Sequence, residues 1–184
     1  VFLAENAGKK RIEKHFSKPE RRDTEVRVMD VLRRNGVSVP KLLGCDGDTV
    51  YYEYIEGTSV LDLLDTAGVQ KCFHRLLMWL KSFYEVMYRE NGCSWILGDI
   101  HLRNFLVQSG DEGIVGIDFE ECRPGAPETD IAQLCAFIVM YDPAFTDDKI
   151  ELVTWLFRSM QDLMELDTEL CRESLDCMFD RLSA

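Results

Sequence analysis

No stretch of this 184-residue sequence runs to eighteen apolar residues, no two cysteines stand as C-x-x-C, and neither an internal repeat nor a low-complexity tract occurs. The first absence excludes a membrane-spanning helix read from hydropathy. The opening "VFLAENAGKKRIEKHF" also lacks the order of charged and apolar residues that a signal peptide needs. Seven cysteines, an odd number without paired spacing, fit neither a disulfide framework nor a zinc site. Cys135 and Cys177 fall inside apolar helical patterns and are expected to be buried thiols. These absences together predict a soluble, cytoplasmic protein kept in a reducing compartment.

What is present is enough for a core. Apolar residues make up 46% of the chain and aromatics 10%, so wholesale disorder is excluded. The length suits one domain, or one domain folded as two small lobes. The net charge of −12 is uneven: residues 1–41 carry +5 and the remainder −17. An acidic chain is a poor non-specific binder of nucleic acid, although its basic end could meet phosphate or an acidic partner.

Along the chain, residues 1–6 and 10–16 read as two strands joined at "NAGK", a turn signal between alternating runs. Residues 21–34 read as a helix with Val28, Val31 and Leu32 on one face and "RNG" as its stop. Strands follow near 41–45 and 49–54, with "DGD" turning between them. The composition then shifts, and residues 55–57 form the natural hinge. From 69 to 90 the residues Phe73, Leu76, Leu77, Leu80, Phe83, Tyr84, Met87 and Tyr88 keep helical spacing for about six turns. Helices over 147–163 and 168–182 close the chain, with Thr146 and Asp167 as their N-caps. The expected class is α+β: a small strand-rich part with one helix (1–56), then a mostly helical part (57–184).

Between the long helix and two short apolar runs, "FLV" and "IVGID", lies "GDIHLRN". It is too polar for a core strand and reads as a loop clamped between a helix and a β-hairpin. Such clamping is what chemistry requires, since a displacement of about 1 Å can cost on the order of a hundredfold in rate. Asp99, Asn104 and Asp118 would bring three oxygen-bearing side chains together, a donor set suited to Mg2+.

These residues carry a resemblance. Asp99, Asn104 five residues on, then an apolar strand and Asp118-Phe119 resemble the catalytic half of the protein-kinase-like signature. "GDIHLRNF" is especially similar to the aminoglycoside/choline phosphotransferase branch, and the set is also similar to small RIO-like, Bud32-like and lipopolysaccharide-sugar kinases. "KKRIEKHF", "TEVRVMDVL", "VSVPKLLGCD" and "YYEYIEG" resemble the third strand, helix, following strands and hinge of such small kinases, so the likeness covers roughly residues 1–140. It implies a compact protein-kinase-like two-lobe fold and an ATP- and Mg2+-dependent transfer of the γ-phosphoryl group. The acceptor would be a hydroxyl on a small molecule or a protein Ser/Thr.

Carried over by position, Lys14 would reach the nucleotide phosphates and Glu25 would hold Lys14. Lys9 and Lys10 compete with the first assignment and Glu20 with the second. Glu53 and Ile55 would offer backbone groups to adenine, with Tyr54 packing nearby. Asp99 would accept the proton of the attacking hydroxyl, while Asn104 and Asp118 would hold Mg2+. Asp130 in "ETDIAQL" resembles the residue that opens a helix and ties down the catalytic loop. His101 would position the loop or occupy a surface turn, and His74 reads as a packed or partly exposed helix residue.

Three departures from the family pattern stand out. Leu97 occupies a place where relatives commonly carry a His, and Glu120 follows Asp-Phe where protein kinases have Gly. The residues ahead of Lys14 hold no glycine-rich phosphate-covering loop, which keeps a non-catalytic nucleotide-binding or scaffolding module as the rival reading. Only eleven residues separate Asp118 from Asp130, too few for a long phosphorylatable loop.

Overall fold

The computed structural model describes residues 1–6, 8–66, 69–110 and 113–183. Its first part is a four-stranded antiparallel sheet with one helix packed on it. β1 (Phe2–Asn6) and β2 (Lys9–His15) form a hairpin, and Ala7 of the expected "NAGK" turn lies outside the described residues. After α1 (Pro19–Arg34) come β3 (Leu42–Asp46) and β4 (Thr49–Glu53), giving the order β1-β2-β4-β3. α1 starts at a proline, whose fixed φ suits the first helical turn. The stripe it buries is Glu25, Val28, Met29 and Leu32, at i, i+3, i+4 and i+7. A carboxylate thus occupies a core position, and the register Lys14↔Val50 and Ile12↔Tyr52 sets β2 beside the buried strand β4.

The second part contains two smaller sheets. β5 (Gly57–Ser59), β7 (Phe105–Gln108) and β8 (Ile114–Gly116) pair in the order β5-β7-β8, while β6 (Trp95–Ile96) pairs with β9 (Arg123–Pro124). Around them pack α2 (Val69–Asn91), α3 (Pro127–Met140), α4 (Asp147–Met164) and α5 (Thr168–Ser183). The Thr146 hydroxyl accepts the Lys149 N–H at the start of α4, and Asp167 Oδ1 accepts from Glu169 and Leu170 at the start of α5, so both expected N-caps form. Among the described residues, no helix is long and apolar enough to cross a membrane.

Two sequence expectations need correction. Tyr88 is 58% exposed rather than part of the inward face of α2, while Trp79 and Val86, outside the expected stripe, are buried. α2 is covered on a wider arc than one stripe because Trp79 turns toward the β7–β8 hairpin and α1 packs alongside. Cys135 is buried as expected, but Cys177 is exposed. On α5 the buried thiol is Cys171, and six residues further the helix has turned Cys177 about 120° away from that side.

Trp79 joins the two parts of the chain. Its indole N–H donates to the Ser38 carbonyl at 2.9 Å, and its ring stacks with Phe83 and Phe119 and meets Phe105 edge-on. Phe119 directly follows Asp118, so this aromatic group fixes the backbone from which that carboxylate projects.

Candidate active site

The loop from Leu97 to Asn104 hangs from the first turn of α3. Asp130, wholly buried, accepts the backbone N–H of Leu97 at 2.7 Å and of Gly98 at 3.1 Å, and the Tyr84 hydroxyl at 3.0 Å. The Leu97 main chain therefore makes a loop brace where a side chain would have been lost. Gly98 takes a φ of 79°, and a Cβ there would meet the Glu121 carbonyl and the Arg123 guanidinium. Beyond it the chain alternates: Ile100 and Leu102 have no exposed surface, while Asp99 is exposed and His101 half-buried. Asn104 closes the loop by donating its side-chain N–H to the Asp99 carbonyl at 3.0 Å. Its own carbonyl accepts the Ile117 N–H at 2.9 Å, which sets Asn104 across from the residue before Asp118.

Lys14 and Glu25 meet at 2.5 Å, both in the interior at 8% and 2% exposure. The same ammonium reaches Asp118 Oδ1 at 2.7 Å and Glu120 Oε2 at 3.0 Å. Burial pulls the Lys14 ammonium down and pushes the Glu25 carboxyl up; the charges of Glu25 and Asp118 outweigh burial on the lysine, whose pKa lies above its ordinary value. Asp118 itself sits at φ 67°, in the left-handed region that few residues other than Gly, Asn and Asp enter. Of the rivals, Glu20 is exposed and the Lys10 ammonium lies over the Tyr54 ring, so neither enters this cluster.

Behind the cluster is a cavity of about 190 Å3. Ile12, Met29, Leu106 and Ile117 give it apolar walls. Lys14, Glu25 and Asp118 line it too, as do Glu53, Tyr54 and Ile55 from the end of β4. The Glu53 N–H is engaged by the Lys41 carbonyl, so any backbone group it offers a ligand is its own carbonyl. Tyr52 also lines the cavity beside Glu25, and burial followed by the Glu25 charge drives its pKa up. Asp99 and Asn104 stand outside the cavity on the adjoining loop.

Sequence reasoning missed the place of Glu120. It bridges the Lys14 ammonium and the Arg21 guanidinium (3.0 Å to each), and Arg21 also pairs with Glu121. The signal was two consecutive acids after Asp118-Phe119 and a basic first turn on α1, but no local rule connects segments a hundred residues apart. Glu25, Asp118 and Glu120 offer oxygens within 4.8 Å of one another, with Lys14 as their shared cation.

A strand-rich part and a helical part, with a Lys–Glu–Asp cluster between them, form a compact protein-kinase-like fold. Amicoumacin kinase hAmiN, solved in complex with AMP-PNP, Ca2+ and Ami, is similar with a TM-score of 0.64 at 14% identity, over 91% of this chain and 73% of that one. The Cydia pomonella granulovirus kinase PK-1 is similar with a TM-score of 0.54 at 17% identity, over 67% of this chain and 48% of that one. The chain thus spans about half the length of the viral kinase. Residues 93–163 match the profile of the phosphotransferase enzyme family, and a comparison with curated proteins finds no match. At 14% and 17% identity these likenesses show the fold, and the family match is confined to the stretch that holds Asp99, Asn104, Asp118 and Asp130.

Proposed function

We propose that the protein is an ATP- and Mg2+-dependent kinase that moves the γ-phosphoryl group to an alcohol, with the nucleotide lying in the crevice between residues 1–56 and 57–184. The observation that carries this reading is the Lys14 ammonium, shared by Glu25 of α1 and Asp118 beyond β8, in a cavity also lined by Glu53 and Ile55. An apolar slot of that kind suits a purine, with the Glu53 carbonyl and the Ile55 N–H as its polar contacts. Lys14 orients the phosphates and Glu25 holds Lys14. Asp99 accepts the hydroxyl proton. Positioning and charge neutralisation supply most of the rate in such reactions.

The donor set fits a hard divalent cation. Asp118 contributes a carboxylate, and Asn104, whose N–H is engaged by the loop, keeps its amide oxygen to offer. Mg2+ held there would neutralise phosphate charge. The complex of hAmiN with AMP-PNP and Ca2+ supports a nucleotide and a divalent ion, and its amicoumacin-directed activity favours a small molecule over a protein as acceptor. The charge of −17 over residues 42–184 favours a cationic one, through attraction that salt screens.

The test is γ-phosphate release from radiolabelled ATP with Mg2+. Asp99→Asn abolishes turnover and leaves the thermal shift produced by Mg2+-ATP nearly intact, since that shift follows affinity for the folded state. Normal turnover by this variant overturns the assignment of the base. Binding without turnover by the wild type would leave only a non-catalytic nucleotide module.

A further inference from the structure

Asp99 presents its carboxylate half exposed, yet a proton acceptor must hold one orientation to meet an incoming hydroxyl. Resting on the phosphotransferase reading of Asp99, we infer that His101 is a positioning residue that sets that orientation. The backbone at His101 is extended (φ −121°, ψ 144°), and side chains two residues apart in extended chain share a face. With Ile100 and Leu102 turned into the core, Asp99 and His101 are left side by side on the outward face.

The imidazole Nε2 lies 3.2 Å from Asp99 Oδ1, a close pair whose alignment becomes that of a hydrogen bond when the exposed carboxylate turns toward the ring. Its ring is in turn laid on Phe137 of α3, with centroids 4.1 Å apart and planes 18° from parallel. Phe137 belongs to the same helix as Asp130, which holds the loop's backbone from below. One helix therefore anchors the main chain of the loop and, through His101, the side chain of its exposed acid. Donation to Oδ1 leaves Oδ2 to take the proton from the acceptor hydroxyl as its oxygen bonds to phosphorus and the nucleoside diphosphate leaves.

Two substitutions separate positioning from packing. His101→Phe keeps a flat ring on Phe137 but has no donor; His101→Gln loses the ring but its amide N–H reaches about as far as the imidazole Nε2. The assay is hydrolysis of radiolabelled Mg2+-ATP with water as the acceptor, beside Asp99→Asn, and the Mg2+-ATP thermal shift confirms that each variant folds and binds. His101→Phe is expected to lower kcat roughly 10- to 100-fold with KM for ATP unchanged, and His101→Gln to recover to within about fivefold of wild type, the residue of a neutral donor restored. Wild-type turnover by His101→Phe overturns the inference, as does a rise in KM that accounts for its defect, or a His101→Gln no faster than His101→Phe. A wild type without turnover overturns the phosphotransferase reading itself, whereas an Asp99→Asn as active as wild type overturns the assignment of the base, and either result takes the inference with it. The Asp99→Asn arm therefore tells the two failures apart.

Discussion

The Asp130 carboxyl has no exposed surface, and burial pushes its pKa up to about 6 despite donors from Leu97, Gly98 and Tyr84. A folded-state pKa above the unfolded value of 3.8 means that the native protein holds the proton more tightly. The stability from this group is complete below about pH 4 and is lost as pH rises through about 6. Asp130→Asn removes both the titration and one acceptor for the loop. Its deficit against wild type should be wider at pH 4.5 than at pH 7 by about 2 kcal/mol, as read by urea unfolding at the two pH values. A deficit independent of pH would show that Asp130 titrates alike in the folded and unfolded chains. The resemblance to the phosphotransferase branch already suggested that this residue ties down a loop. That it reaches the backbone of Leu97, where the expected His is missing, emerges only from the fold.

At the scale of elements, the β7–β8 hairpin and α2 approach until no side chain fits between them. A Cβ on Gly116 would overlap the Trp79 ring, and that ring is held by the Ser38 carbonyl and three phenylalanines, so it has nowhere to move. Gly116→Ala should therefore cost about 1–3 kcal/mol through overpacking. It should also depress turnover, since residue 116 is two positions from Asp118. Gly44→Ala, on a strand where a Cβ meets nothing within 4 Å, serves as the silent control. Equal denaturation midpoints for the two variants would contradict the close approach. α2, α4 and α5 were legible because their apolar residues keep a helical period, with cap residues of the right type ahead of α4 and α5. α3 was harder to see beyond its opening residues. Ile131, Ala132, Leu134, Cys135, Ala136, Ile138 and Val139 are buried around almost its whole circumference, so no polar face marks a period.

Across the whole molecule, Arg21 at the start of α1 grips Glu120 and Glu121 of the segment following Asp118, tying the strand-rich part to the helical one. Its side chain is 40% exposed, so solvent screens the pairs and their contribution to global stability is under about 1 kcal/mol. Their effect belongs to local opening instead. Arg21→Ala should leave the urea midpoint nearly unchanged while hydrogen–deuterium exchange speeds up across residues 119–122 and the first turn of α1, and not in α3. Uniform exchange throughout would mean that Arg21 ties nothing together.

The sequence by itself determined what is written in short range. Residue spacing specifies the helix faces, side-chain oxygens at Thr146 and Asp167 cap their helices, and the interval from Asp99 to Asn104 and Asp118 carries the resemblance on which the proposed chemistry rests. The resemblance had already paired Lys14 with Glu25, but tertiary structure alone decided which further charges join them. Lys14, Glu25, Arg21 and Glu120 come together because the sheet, α1 and the Asp118 turn pack around one aromatic cluster. Coulomb attraction at such distances depends on burial and approach, which periodicity along a chain does not encode.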